Sequence, residues 1–213
     1  MSQYVEYDSY SEWLKARRNT LGASEVASAI GIGFMSTIDL WREKTCRKQP
    51  NDLSENERVK YGIAVEEHLR ALFSAQFVNK YQVEYHAFRV YKHDTYKFMT
   101  CTLDGELIRL SDGAKGVWEC KTAWVMSKRD LDEWNGRIKQ AYFCQICAQL
   151  LVTNYDFAIV TVQLIMPDGN SEIRHYNIER GEVKEDIEYI KNEAIKFWRY
   201  VIQDKQPPQK LML

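Results

Sequence analysis

The chain has 213 residues with a formal net charge of −1, and 45% hydrophobic, 28% charged and 13% aromatic residues. This composition fits a globular domain with a sizeable core and excludes a protein coated in basic surface, while a local basic patch balanced by acidic ligands stays compatible with it. No stretch reaches the ~18–20 apolar residues of a membrane span and the start, MSQYVEYDSY, lacks a leader pattern, so a cytoplasmic protein is expected.

In chain order, residues 10–18 read as a short amphipathic helix. Ser24 is placed to cap a helix that runs to Ile30 and stops at Gly31 and Gly33. Residues 37–45 give a third helix, 46–56 a polar loop, and about 57–77 a longer helix. Residues 82–91, 96–102, 104–110 and 116–122 alternate as strands, punctuated by His93-Asp94 and Ser111-Asp112-Gly113. A helix follows over about 137–152, then strands 157–166 and 172–178 joined by the turn Pro167-Asp168-Gly169-Asn170. The last helix, 183–203, carries Ile187, Ile190, Ala194, Phe197, Trp198 and Val201 at helical spacing. This order predicts one domain over 1–213, with an N-terminal helical part (1–80) packed on an α/β core. The core is a mixed central sheet flanked by helices. The five cysteines, scattered and mostly within apolar runs, read as buried reduced thiols.

Three features point to chemistry. Along the strand 116–122, Val117, Glu119 and Lys121 share one face, while Trp118, Cys120 and Thr122 take the other. Asp104 opens the strand expected to pair with it. Two carboxylates brought together in a sheet repel each other unless a cation lies between them, and oxygen ligands favour a hard ion such as Mg²⁺ or Mn²⁺. The bland alternative is an exposed hairpin with a Glu–Lys pair in solvent. The second feature is Glu66, at the edge of the stripe Gly62, Glu66, Leu69 and Phe73, whereas Glu67 falls with Arg70 and Ser74 on the wet face. The third is Gln145, which shares a helix face with Tyr142 and Gln149 and can hold a water or phosphate without adding charge. Alone, either residue is more often a solvated surface group.

Taken together these segments are similar to one known family. Asp104 followed by Glu119-Cys120-Lys121 resembles the PD-(D/E)XK motif. The wider order resembles the phage lambda exonuclease and YqaJ-like viral recombinase family: Arg17 through Ser24, Gly31–Phe34, Leu40–Thr45, Tyr61–Glu66, Gln140–Gln145 with Val152-Thr153, and Phe197-Trp198 before Gln206-Pro207-Pro208. One departure is Leu103, which stands where proline is usual before the aspartate; that proline is not a ligand. The resemblance implies a PD-(D/E)XK restriction-endonuclease-like core and a metal-dependent 5′→3′ exonuclease that digests one strand of linear double-stranded DNA. By the same resemblance, Asp104, Glu119 and the Cys120 carbonyl hold a metal, Glu66 and Asp104 help hold a second or its water, Lys121 assists the attacking water and Gln145 positions it. Arg17, Ser24 and Thr102 match positions that hold the DNA 5′-phosphate. Guanidinium and a helix-capping serine suit that task on chemical grounds as well, with Arg18 the alternative arginine. The implied partners are DNA ends, a single-strand annealing protein, and further copies of the chain in a trimeric ring. The setting would be a bacterial cytoplasm, with the gene carried by a phage or prophage.

Other signals carry less. Lys128, Arg129, Arg137 and Lys139 with Trp124 and Trp134 could touch DNA, but Asp130, Asp132 and Glu133 dilute their charge and an ordinary polar loop is the expected reading. Cys144 and Cys147 are read as core packing, the four histidines form no zinc motif, and the absence of a Gly-X-X-X-X-Gly-Lys loop gives no basis for a nucleotide cofactor. The competing functions are an endonuclease of the same fold in restriction or repair, and a DNA-end-binding protein without catalysis.

Overall fold

The computed structural model describes residues 3–209. Its N-terminal helices begin where short polar side chains can cap them. Ser9 accepts from the Glu12 amide at 3.3 Å to start α1 (Tyr10–Arg18), and Ser36 from the Asp39 amide at 3.1 Å to start α3 (Thr37–Lys44). Asn56 accepts from Arg58 at 3.0 Å and starts α4 (Glu57–Gln76). The helix α2 (Ala23–Ile30) differs from expectation: its cap residue is Gly22, whose amide donates to the Glu25 carboxylate at 2.8 Å, and Ser24 is its second residue. The cause is a two-residue strand, β2 (Leu21–Gly22), which fixes the backbone before Ser24 is reached. Gly31 ends α2 at φ 92°, a left-handed conformation that glycine adopts at little cost.

Two mixed sheets form where one was predicted. The first runs β1 (Gln3–Glu6), β4 (Arg89–Lys92), β5 (Met99–Cys101), β2, with only the β2–β5 pair parallel. The second runs β3 (Tyr81–Glu84), β6 (Gly105–Arg109), β7 (Lys115–Trp124), β8 (Phe157–Ile165), β9 (Ser171–Glu179), antiparallel except for β7–β8. The predicted strand 82–91 is therefore two strands in different sheets, separated by a turn in which Phe88 has φ 59°. Short β1 and β2 went unpredicted because they lack local alternation and exist through their partners.

The second sheet positions everything else. Along β7 and β8 successive side chains alternate between two apolar layers. Trp118, Phe157 and Ile159 pack with Leu69 and Phe73 of α4. Val117, Ala158, Val160, Val162 and Leu164 pack on the other side, in the core that also takes in α2, α6 (Gln140–Thr153) and α7 (Lys184–Ile202). The approach is close enough that a Cβ on Gly116 would sit 2.4 Å from the Phe157 ring. Gly62 likewise faces Thr122, where a Cβ would meet the hydroxyl at 3.4 Å, so α4 lies tight against β7 one turn before Glu66. The segment expected to be a polar loop contains α5 (Lys128–Asp132) and buries Trp134 to 1% exposure. Among the cysteines Cys46 is exposed, against expectation, and none of the five is paired. Among the described residues no helix is long and apolar enough to cross a membrane.

Candidate active site

All of the predicted site residues line one cleft of about 810 Å³: Arg17, Ser24, Glu66, Thr102, Asp104, Glu119, Cys120, Lys121 and Gln145. Each arrives on a different support. Asp104 lies immediately before β6, and Glu119, Cys120 and Lys121 lie on β7 just past Trp118, the last residue paired to β6, and beside Val160, Thr161 and Val162 of β8. Glu66 comes from the middle of α4 and Gln145 from α6. The parallel register sets Gly22 beside Thr100, so two residues further along each chain Ser24 and Thr102 enter the same cleft. Arg17 ends α1, half-buried, with its guanidinium carbon 4.4 Å above the Trp13 ring. Arg18, the alternative, is exposed and lies outside the cleft lining.

The Glu–Lys pair is not a solvated hairpin. Glu119 is 2% exposed and its carboxylate takes three donors: Lys121 Nζ at 2.6 Å and Gln145 Nε2 at 2.5 Å on Oε1, and Gln149 Nε2 at 2.6 Å on Oε2. The Asp104 carboxylate accepts from the Cys120 amide at 2.9 Å, and Glu66 accepts from Arg70 at 3.0 Å. Burial acts to lower the Lys121 pKa, but Glu119 and Asp104 outweigh it and hold the group above its ordinary value. With both carboxylates charged, Lys121 keeps its proton and donates to Glu119. Burial pushes the Cys120 thiol up, with Asp104 adding to the effect, so its sulfur stays a thiol.

Among the described residues no three His, Cys, Asp or Glu side chains stand tightly enough grouped to hold a metal as they are. The hydrogen bonds explain this: each carboxylate is turned toward a donor of the protein itself. The donor set nevertheless fits a hard divalent cation. It consists of carboxylates that line one cleft, with burial and the Glu119 charge driving the Asp104 carboxyl well above its ordinary value. Such repulsion is what a cation relieves.

Two contributors escaped the sequence reading. Gln149, at 0% exposure, ties Glu119 to the Thr102 carbonyl, which its amide reaches at 3.2 Å. Its position one helical turn after Gln145, on the face already noted, was the available signal. Arg70, assigned to the wet face, is instead turned inward to Glu66.

A pH dependence follows from the raised carboxyls. Burial raises Asp104 and also raises Glu66, with the Arg70 bond opposing the second shift. A raised acid holds its proton longer in the folded than in the unfolded chain. Its stabilising contribution is therefore fully present below the unfolded value of about 4, and is lost as pH rises through the raised value. With divalent cations chelated, thermal unfolding from about pH 5 to about pH 8 is expected to show wild type losing stability relative to Asp104→Asn as pH rises. Parallel curves for the two proteins would contradict the assignment.

A mixed sheet with an aspartate entering β6 and Glu-X-Lys on β7, covered by helices, is a PD-(D/E)XK-like fold. The chain belongs to the YqaJ-like viral recombinase family, whose model matches residues 12–156. Among solved structures it is similar to an alkaline exonuclease from Laribacter hongkongensis, at 17% identity and a TM-score of 0.65, over 91% of this chain and 93% of that one. A structure of that exonuclease in complex with dAMP matches with the same figures. A phage-related exonuclease from Haemophilus somnus 129PT matches at 14% identity and a TM-score of 0.53, over 87% of this chain and 96% of that one. No curated protein matches.

Proposed function

We propose that this protein is a DNA exonuclease that hydrolyses one strand of linear duplex in the 5′→3′ direction, using Mg²⁺ or Mn²⁺, and leaves a 3′ overhang for a single-strand annealing protein. The observation that carries the reading is the convergence of acidic, cationic and amide side chains from separate elements on one cleft. Asp104, Glu119, Glu66 and the Cys120 carbonyl would hold the cation. When bound, it would polarise the scissile phosphate and offset charge on the departing 3′-oxygen. Lys121 and Gln145 are placed to orient an attacking water, and Lys121 offsets negative charge as the phosphate is attacked. Arg17, Ser24 and Thr102 line the cleft, Ser24 in the first turn of α2, where a guanidinium, hydroxyls and helix amides suit a terminal 5′-phosphate. Family membership extends the proposal to a ring of several copies, three by the same likeness, around the DNA.

The test compares linear duplex with covalently closed circles in the presence of Mg²⁺. Loss of linear substrate alone, with mononucleotides released from 5′ ends, is the expected outcome. Cleavage of closed circles would replace the exonuclease with an endonuclease, and binding without hydrolysis would reduce it to an end-binding protein.

A further inference from the structure

Arg70 stands one helical turn after Glu66 on α4, and a single nitrogen of its guanidinium, Nη1, serves two partners. It donates to Glu66 Oε1 at 3.0 Å and to the main-chain oxygen of Asp104 at 2.8 Å. The face of the Tyr85 ring covers it, 3.8 Å from the guanidinium carbon, and the side chain is 13% exposed. An ordinary ion pair four residues apart on a wet helix face stays within its helix and contributes little. This one crosses to another element. Asp104 is thereby held at both ends, its carboxylate by the Cys120 amide of β7 and its carbonyl by α4.

Arg70 does not itself line the cleft; Tyr85, Glu66 and Asp104 do. A group behind the wall cannot meet the substrate, but it can set how the wall is built. Glu66 and Asp104 belong to elements with no covalent reason to keep a fixed separation, and their negative charges drive them apart. The half-buried guanidinium opposes that drift, and the ring above it limits hydration of the pair.

We infer that Arg70 is a positioning residue: it fixes Glu66 of α4 against the Asp104 turn so that both carboxylates address one divalent cation. The inference rests on the metal-nuclease reading above and deepens it. Partners that orient ligands in this way influence cation affinity as well as rate.

The experiment uses Arg70→Gln and Arg70→Lys in the full chain, with two readouts. One is the rise in unfolding temperature on titration with Mg²⁺ or Mn²⁺, without DNA; the other is kcat and KM on 5′-phosphorylated linear duplex. For Arg70→Gln, the half-saturating cation concentration should rise roughly tenfold and kcat should fall roughly 10–100-fold, with KM for DNA unchanged. Arg70→Lys should lose less, since an ammonium restores charge without the planar fork. If the glutamine variant fails to fold, the cation titration of the lysine variant decides on the same terms. A responsive wild type matched by its variants in both readouts overturns the role of Arg70 alone. So does a raised KM with kcat intact, which would mean direct contact with DNA. A wild type that shows no cation response overturns the metal-nuclease reading, and this inference with it.

Discussion

Replacing Glu119 by glutamine is expected to slow digestion of linear duplex by about a thousand-fold, the equivalent of roughly 4 kcal/mol of transition-state stabilisation. The substitution keeps the shape of the side chain and removes its charge. Glu119 is 2% exposed, and Lys121, Gln145 and Gln149 already fix its orientation. A neutral amide there is a poor ligand for a hard cation, and it also takes from Lys121 the partner that aims the ammonium into the cleft. Effects on folding oppose each other. Lys121 loses the charge of its partner at 2.6 Å but can still donate to the amide oxygen, while Asp104 loses the neighbour whose charge helps to raise its pKa. The loss of stability should therefore stay below the roughly 3–5 kcal/mol of a buried pair broken with no such offset. The check is a paired measurement: steady-state hydrolysis of end-labelled duplex, and the unfolding midpoint with and without Mg²⁺. The variant should lose the Mg²⁺-dependent rise as well as the rate. Retention of a tenth of wild-type activity would remove Glu119 from the reaction.

The reach of sequence reasoning differed between elements for physical reasons. Helices α1, α4 and α7 were legible because an apolar stripe repeats over several turns, and α1 agrees residue for residue with the expected 10–18. Strand β7 was legible from its alternation, and β8 from the nearly unbroken apolar run that marks a strand covered on both faces. The segment 82–91 misled because its alternation runs on through a turn: Tyr81–Glu84 joins one sheet and Arg89–Lys92 the other. Nothing local announces that the partner changes. Trp134 sits among charged neighbours in sequence, yet it is enclosed through contacts with Tyr142 and Tyr176 from distant segments.

The site divides along the same line. Glu119 and Lys121 could be placed together by strand alternation, and Glu66 by its helical stripe, since both are properties of one element. Ser24 was brought to the cleft by the pairing of β2 with β5 and not by the cap assigned to it. Arg70 was assigned to solvent because a helical wheel ranks it by position, whereas its burial comes from a carbonyl and a ring outside the helix. Short polar patterns give the identity of the groups. Cross-element hydrogen bonds decide which of them act together.

Arg17→Ala is expected to lower kcat/KM on 5′-phosphorylated ends by roughly 30-fold, about 2 kcal/mol for a charge-assisted contact. On 5′-hydroxyl ends, where the partner anion is missing, the same variant should behave as wild type. The geometry supports so selective an effect. The guanidinium is held half-buried against the Trp13 ring at 4.4 Å, and the cleft it lines also takes in Ser24 and Thr102. The main chain is restrained too, since the Arg17 carbonyl accepts from the Thr20 amide at 3.3 Å and from Lys44 at 3.5 Å. A preset guanidinium meets a terminal phosphate with little ordering cost, which is where arginine exceeds lysine. Arg17→Lys should therefore fall between wild type and alanine. Arg18→Ala serves as the control, because Arg18 carries the same charge one residue away but faces solvent. Equal losses on the two kinds of end would show that Arg17 contributes only general attraction for DNA. A loss in Arg18→Ala that matches Arg17→Ala would place the phosphate outside this cleft.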